Sequence, residues 1–156
     1  MKNSFIILIL FFLVNCSTSN AIVKKPVPQF ESMTFDAVTK SLIFEGEFPQ
    51  RFKDLSNQWF DNKVKINGLE GDMLFVLKNY SEKSSKINNG KKIDITVEFE
   101  VLLEKSSLSQ KKIIKGKVNS FSSLTGDFSL SEFDQLIIKT QSDLVLRLSR
   151  DLKSKI

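Results

Sequence analysis

The chain has 156 residues, 26% of them charged, with a formal net charge of +5, one cysteine and no histidine. Without imidazole there can be no Ser-His-Asp triad, histidine base or His-ligated metal, and a single cysteine cannot build a disulfide framework. The length suits one domain.

The first segment has the layout of an export signal. Met1-Lys2-Asn3-Ser4 carries one positive charge, Phe5 to Val14 is apolar throughout, and Cys16 closes the string Leu13-Val14-Asn15-Cys16 ahead of Ser17-Thr18-Ser19-Asn20. Ten apolar residues fall short of the roughly 20 that a membrane-spanning helix needs, and they fit a secretory signal core. The Leu-to-Cys string resembles the lipobox of bacterial lipoprotein precursors, with Asn15 standing where that pattern favours Gly, Ala or Ser. The resemblance implies a signal peptide over 1–15, removed by processing, and diacylation of Cys16 as the first residue of the mature chain. The alternative is a cleaved secretory signal ending at Ser19-Asn20-Ala21. Lipidation implies attachment to a membrane of a Gram-negative envelope, facing the periplasm. Ser17 lacks the Asp that marks inner-membrane retention, which favours the outer membrane.

The basic residues are mostly Lys, with Arg51, Arg147 and Arg150 the three arginines, and they are interleaved with acids along the chain. Scattered lysine reads as a solvated surface, and with an exported address it gives no nucleic-acid partner. Residues 16–30, with Pro26 and Pro28 and no apolar period, read as the lipidated Cys and a flexible tether. A single domain is expected over 31–156.

That domain opens with strand formers, Thr34 to Val38 and Ser41 to Gly46, expected as one long or two short strands. Pro49 suits a first helical position. Phe48, Phe52, Leu55 and Trp59 then recur at helical spacing, predicting an amphipathic helix over about 49–62. Asn67-Gly68 and Glu70-Gly71 mark a turn. Met73 to Tyr80 reads as a strand and Ser84 to Lys92 as a polar loop. Ile93, Ile95, Val97, Phe99, Val101 and Leu103 alternate with Asp94, Thr96, Glu98, Glu100 and Glu104, apart from Leu102, so one face of this strand meets a core and the other water.

Lys111 to Leu124 forms a further strand whose phase shifts at Phe121, suggesting a bulge near Asn119 or Ser120. Its lysines, Lys111, Lys115 and Lys117, are placed to pair with the acids of the preceding strand. Ser129 and Glu132 have capping-box spacing, and Phe133, Ile137, Thr140, Leu144, Leu148 and Leu152 continue a helix over about 130–153. The resulting class is α+β: an antiparallel sheet of about four strands with two helices on one face, in the order β(β)-α-β-β-β-α.

The order of strand region, helix, three strands and long C-terminal helix behind Cys16 resembles the LptE-like lipopolysaccharide-assembly lipoproteins. The stretch from Phe48 through Trp59 and Gly68 to Gly126-Asp127-Phe128-Ser129-Leu130-Ser131-Glu132 also resembles alphaproteobacterial lipoproteins without an assigned role. Neither resemblance brings a catalytic motif.

Chemistry within the domain is sparse. Glu98, Glu100 and Glu104 share a strand face, where a glycosidase pair could sit, but acids alternating with an apolar row are the ordinary wet side of a strand. Trp59 could stack on a sugar, yet its place on the helix stripe assigns it to the core. Ser120 to Gly126 could form a ligand loop, with a strand end and turn the plainer reading. Gly68-Leu69-Glu70-Gly71-Asp72 is too short and acidic to cradle phosphate. The expectation is a non-enzymatic binding or assembly module of the cell envelope, with no cofactor and no metal, partnered by the membrane through its lipid and by an envelope protein. An apolar-ligand or lipid carrier is the alternative, and a carboxylate hydrolase a distant one.

Overall fold

A computed structural model describes residues 30–105 and 110–156. The signal segment, Cys16, the tether through residue 29 and the connection at 106–109 lie outside the described residues. In chain order the elements are β1 (Met33–Phe35), β2 (Thr39–Glu45), α1 (Gln50–Lys63), β3 (Val64–Ile66), β4 (Asp72–Ile87), β5 (Gly90–Lys105), β6 (Gln110–Thr125) and α2 (Leu130–Lys153).

Four strands form the main sheet in the order β2-β4-β5-β6, and β1 and β3 form a separate two-stranded sheet. The class is α+β, but the main sheet is mixed rather than antiparallel, because β2 pairs with β4 in parallel, Thr39 to Asp72 through Glu45 to Lys78. The cause is the connection between them. A chain that leaves one strand, runs through a helix and returns to the neighbouring position arrives in the same direction. The other two pairings, β4 with β5 and β5 with β6, are antiparallel as expected for tightly linked strands.

Both helices cover the same face. Phe75 and Leu77 of β4, Ile93, Ile95, Val97, Phe99 and Val101 of β5, and Ile114 and Val118 of β6 are buried there against Phe52, Trp59 and Phe60 of α1 and Leu144, Leu148 and Leu152 of α2. Helix α1 starts just after Pro49, and α2 carries the full capping box, Ser129 accepting from the Glu132 N–H while the Glu132 carboxylate accepts from the Ser129 N–H at 2.7 Å. Glu132 is held below the usual carboxylate range first by that backbone hydrogen bond. The C-terminal end of α1 is closed by a side chain from another element. Lys40 of β2 donates to the carbonyls of Phe60 at 3.0 Å and Val64 at 2.6 Å, supplying charge where a helix dipole favours a cation.

Two local expectations are revised. The polar loop at Ser84 to Lys92 is instead a continuation of the hairpin: β4 reaches Ile87, β5 begins at Gly90, and Asn88-Asn89 make the turn, with Asn89 at φ 55°. Asn tolerates that left-handed geometry better than most residues, so two residues suffice. No bulge falls near Asn119 or Ser120, because β5 and β6 stay in register from Gly90 opposite Thr125 to Lys105 opposite Gln110. The apparent phase shift there is a polar residue inside and an aromatic outside: Ser120 is buried while Phe121 is 57% exposed, with Lys92 lying over its ring at 4.9 Å. The irregularity sits in β4, between Lys78 and Ser81, where Asn79 takes φ 54°. The first strand region takes the two-strand form of the expectation, with the strands in two different sheets and separated around the buried Ala37.

Candidate functional site

The face of the sheet opposite the helices is a grid of interleaved charge. Glu45, Lys78, Glu98 and Lys117 lie in one row across the four strands, and Glu100 and Lys115 lie in the next. Glu98 accepts from Asn79 Nδ2 at 2.7 Å and from Lys117 Nζ at 3.1 Å. Glu100 accepts from Lys78 Nζ at 2.8 Å and pairs with Lys115 at 3.3 Å. The Asn79 hydrogen bond, then Lys117, holds Glu98 below the usual carboxylate range, and the Lys78 hydrogen bond does the same for Glu100. A glycosidase pair needs one carboxyl raised enough to be a proton donor; both of these are pushed the other way. Glu104 stands opposite Lys111 at the end of the grid.

The same geometry sets a pH dependence. Both folded-state values lie below those of the unfolded chain, about 4.3 for Glu, so the stabilisation is complete above that value and is lost as pH falls through the lower folded ones. Thermal melts are therefore expected to drop between about pH 5 and pH 3, with part of that drop missing in Glu98→Gln/Glu100→Gln. Identical pH profiles for the two proteins would show that the grid contributes nothing.

Beside the charged rows runs an apolar one. Ser41, Leu74, Leu102 and Ile113 are aligned across the sheet, flanked by Ile43 and Val76. Ile43 is 44% and Ile113 46% exposed. This stripe and a cleft whose sheet residues, Leu103 and Lys112, lie on the other face are the features most suited to contact with another molecule. The cleft, about 330 Å³, is lined by Thr34, Phe35, Asp36, Leu103, Lys105, Lys112 and Ile156. Its volume is at the low end for ligand sites. Phe35, Leu103 and Ile156 supply apolar walls, and Lys105 pairs with Asp36 across it.

The remaining sequence candidates are structural. Trp59 is 2% exposed and meets Phe75 edge-on at 5.6 Å, so it offers no stacking platform. Ser120 to Thr125 complete β6 and Gly126 turns towards α2 with φ 82°. Gly68 to Asp72 lead into β4, so no helix N-terminus backs them. Among the described residues no group of three or more Cys, Asp or Glu is arranged to hold a metal, and no helix is long and apolar enough to cross a membrane. Cys16 lies outside the described residues.

No protein-family model matches the chain, and no curated protein sequence matches it. Solved structures do. A minor lipoprotein from Acinetobacter baumannii superposes with a TM-score of 0.53 at 13% identity, covering 74% of this chain and 92% of the other. Rare lipoprotein B from Shewanella oneidensis gives 0.46 at 18% identity over 75% and 92%, and a hypothetical protein from Chlamydia trachomatis gives 0.47 at 8% over 74% and 96%. The chain thus shares its fold with a bacterial lipoprotein.

Sequence reasoning missed the cleft, and no local signal could have found it. Its walls come from β1, the end of β5, the start of β6 and the C-terminus, which only the fold brings together. A second unforeseen cluster lies on the helix side, where Tyr80 packs on Phe48 and Phe52 at 5.4 and 5.0 Å and donates to Glu82 at 2.6 Å. Burial, then the Glu82 hydrogen bond, pushes its phenol well above the ordinary range. Gln141 of α2 donates to the same hydroxyl at 3.2 Å. That hydroxyl therefore links sheet and helix and is no base.

Proposed function

We propose that this chain is a lipid-anchored, non-enzymatic binding or assembly module of a Gram-negative cell envelope, held at the outer membrane through Cys16 and facing the periplasm. The observation that carries this reading is the fold shared with a minor lipoprotein, in a chain whose own N-terminal string ends in a lipobox-like Cys. The apolar stripe of Ile43, Leu74, Leu102 and Ile113 offers a contact surface for an envelope protein, and the paired carboxylates beside it supply no proton donor. The cleft favours a second reading, a carrier of a small apolar ligand, through its walls of Phe35, Leu103 and Ile156.

Mass spectrometry of the processed protein tests the anchor. The expected first residue is Cys16 bearing a diacylglyceryl group, and Cys16→Ser is expected to accumulate as a precursor. An unmodified chain beginning after Ala21 would overturn the anchor and leave a soluble secreted domain.

A further inference from the structure

The edge of the sheet is as informative as its faces. In the order β2-β4-β5-β6 the last strand has one neighbour, and along its outer side no strand pairs with it among the described residues. The contact found there is a side-chain one, Lys155 Nζ donating to the Lys115 carbonyl at 3.1 Å. A free strand of 16 residues is long for an edge, and its unpaired N–H and C=O groups form a template for another strand unless charge or a bulge guards them. The guard covers half of it. Lys111, Lys112, Lys115 and Lys117 stud the first half, while Val118 to Thr125 carries no charge and exposes Phe121. The continuous register of β5 and β6 leaves no bulge to turn this half away.

We propose that Asn119–Thr125 pairs antiparallel with the same segment of a second copy of this chain, about a twofold axis through Ser122, joining two four-stranded sheets into one. The charge pattern selects both occupant and register. Overlaying the first halves would set lysines against lysines, and like charges directly opposite are destabilising. Overlaying the second halves removes that conflict, sets Phe121 opposite Ser123 of the second copy, and brings Lys117 towards Asp127 of the second copy at each end. Such a contact is self-complementary and closes at the dimer. It uses neither the stripe nor the cleft and does not depend on the lipid anchor.

The test is sedimentation of the full chain in detergent over a range of concentrations. A dimer is expected, and Phe121→Lys/Ser123→Lys, both at exposed positions, should weaken it at least about tenfold by placing four lysines at the axis while circular dichroism still shows a folded domain. Lys117→Glu should weaken it also, and Lys117→Glu/Asp127→Lys should restore it. A wild-type monomer at about 100 μM, a concentration well above that of a micromolar complex, would overturn the proposal. So would a dimer that the paired lysines leave intact, which is the result expected if acyl chains or another face held the copies together. Failure of the charge swap to restore the dimer would overturn the register.

Discussion

Phe75→Ala is expected to cost about 4–5 kcal/mol, near the top of the range for removing a buried aromatic. The ring is fully buried near the start of β4 and touches three others: Trp59 at 5.6 Å and Phe60 at 5.9 Å, both edge-on, and Phe99 stacked at 6.0 Å. Two of those rings come from α1 and one from β5, so truncation opens a void between layers that cannot close without moving the helix. Each aromatic pair adds about 0.5–1.5 kcal/mol beyond its area, which places this site at the upper end. Against a total stability of roughly 5–15 kcal/mol for a domain, the variant should melt some 15 °C lower, or fail to fold at 37 °C. Phe75→Leu, which keeps most of the volume, should cost only about 1–2 kcal/mol. Thermal melts of both variants check this, and a loss below about 1 kcal/mol for Phe75→Ala would mean the void collapses freely.

Gly116→Val should be destabilising by about 3 kcal/mol, the upper part of the range for overpacking. Strand propensity alone predicts the opposite sign, since valine is favoured over glycine in a strand by up to about 1 kcal/mol. The difference is space. A Cβ at position 116 would drive into the Phe99 ring and come within 2.6 Å of the Asp151 carboxylate of α2. Gly116 stands opposite Phe99 in the β5–β6 ladder, so the missing side chain is what allows that ring to lie under α2. Lys155 sits over the same ring at 5.3 Å and pairs with Asp151 at 2.6 Å, closing the stack from above. Chemical denaturation of the variant would reveal the sign, and a gain in stability would show that α2 rides loosely on β6.

How far the sequence could be read depended on whether burial or backbone pairing holds each element. The alternation from Ile93 to Leu103 and the Ser129–Glu132 box were legible because each is a local pattern with one physical cause. The outer hairpin was not. Ser84, Ser85 and Lys86 are exposed, so their strand is held by pairing to Lys91, Lys92 and Ile93, which leaves no apolar period. The three-residue β3 was likewise too short for periodicity, and the parallel β2–β4 pairing needed the crossover through α1 to be taken as a topological instruction. On the charged face, Glu98 and Glu100 were visible as neighbours and Lys115 and Lys117 as their facing cations. Asn79 and Lys78 were not: only the β4–β5 pairing sets Lys78 beside Glu98, and Asn79 lies at the irregularity that follows it.

The two-stranded sheet of β1 and β3 bears on how load passes from the N-terminus into the domain. The described chain begins at Phe30, which packs on the core, and Glu31, which is paired with Lys153 near the end of α2. It then pairs over three residues with β3 and with no strand of the main sheet. Tension applied at Phe30 therefore falls first on one surface ion pair, on three residues of backbone pairing and on the buried side chains of Met33 and Phe35, ahead of the sixteen-residue strands β4, β5 and β6. A pull on Phe30 would thus have to draw two core side chains out of the domain before it reached the four-stranded sheet.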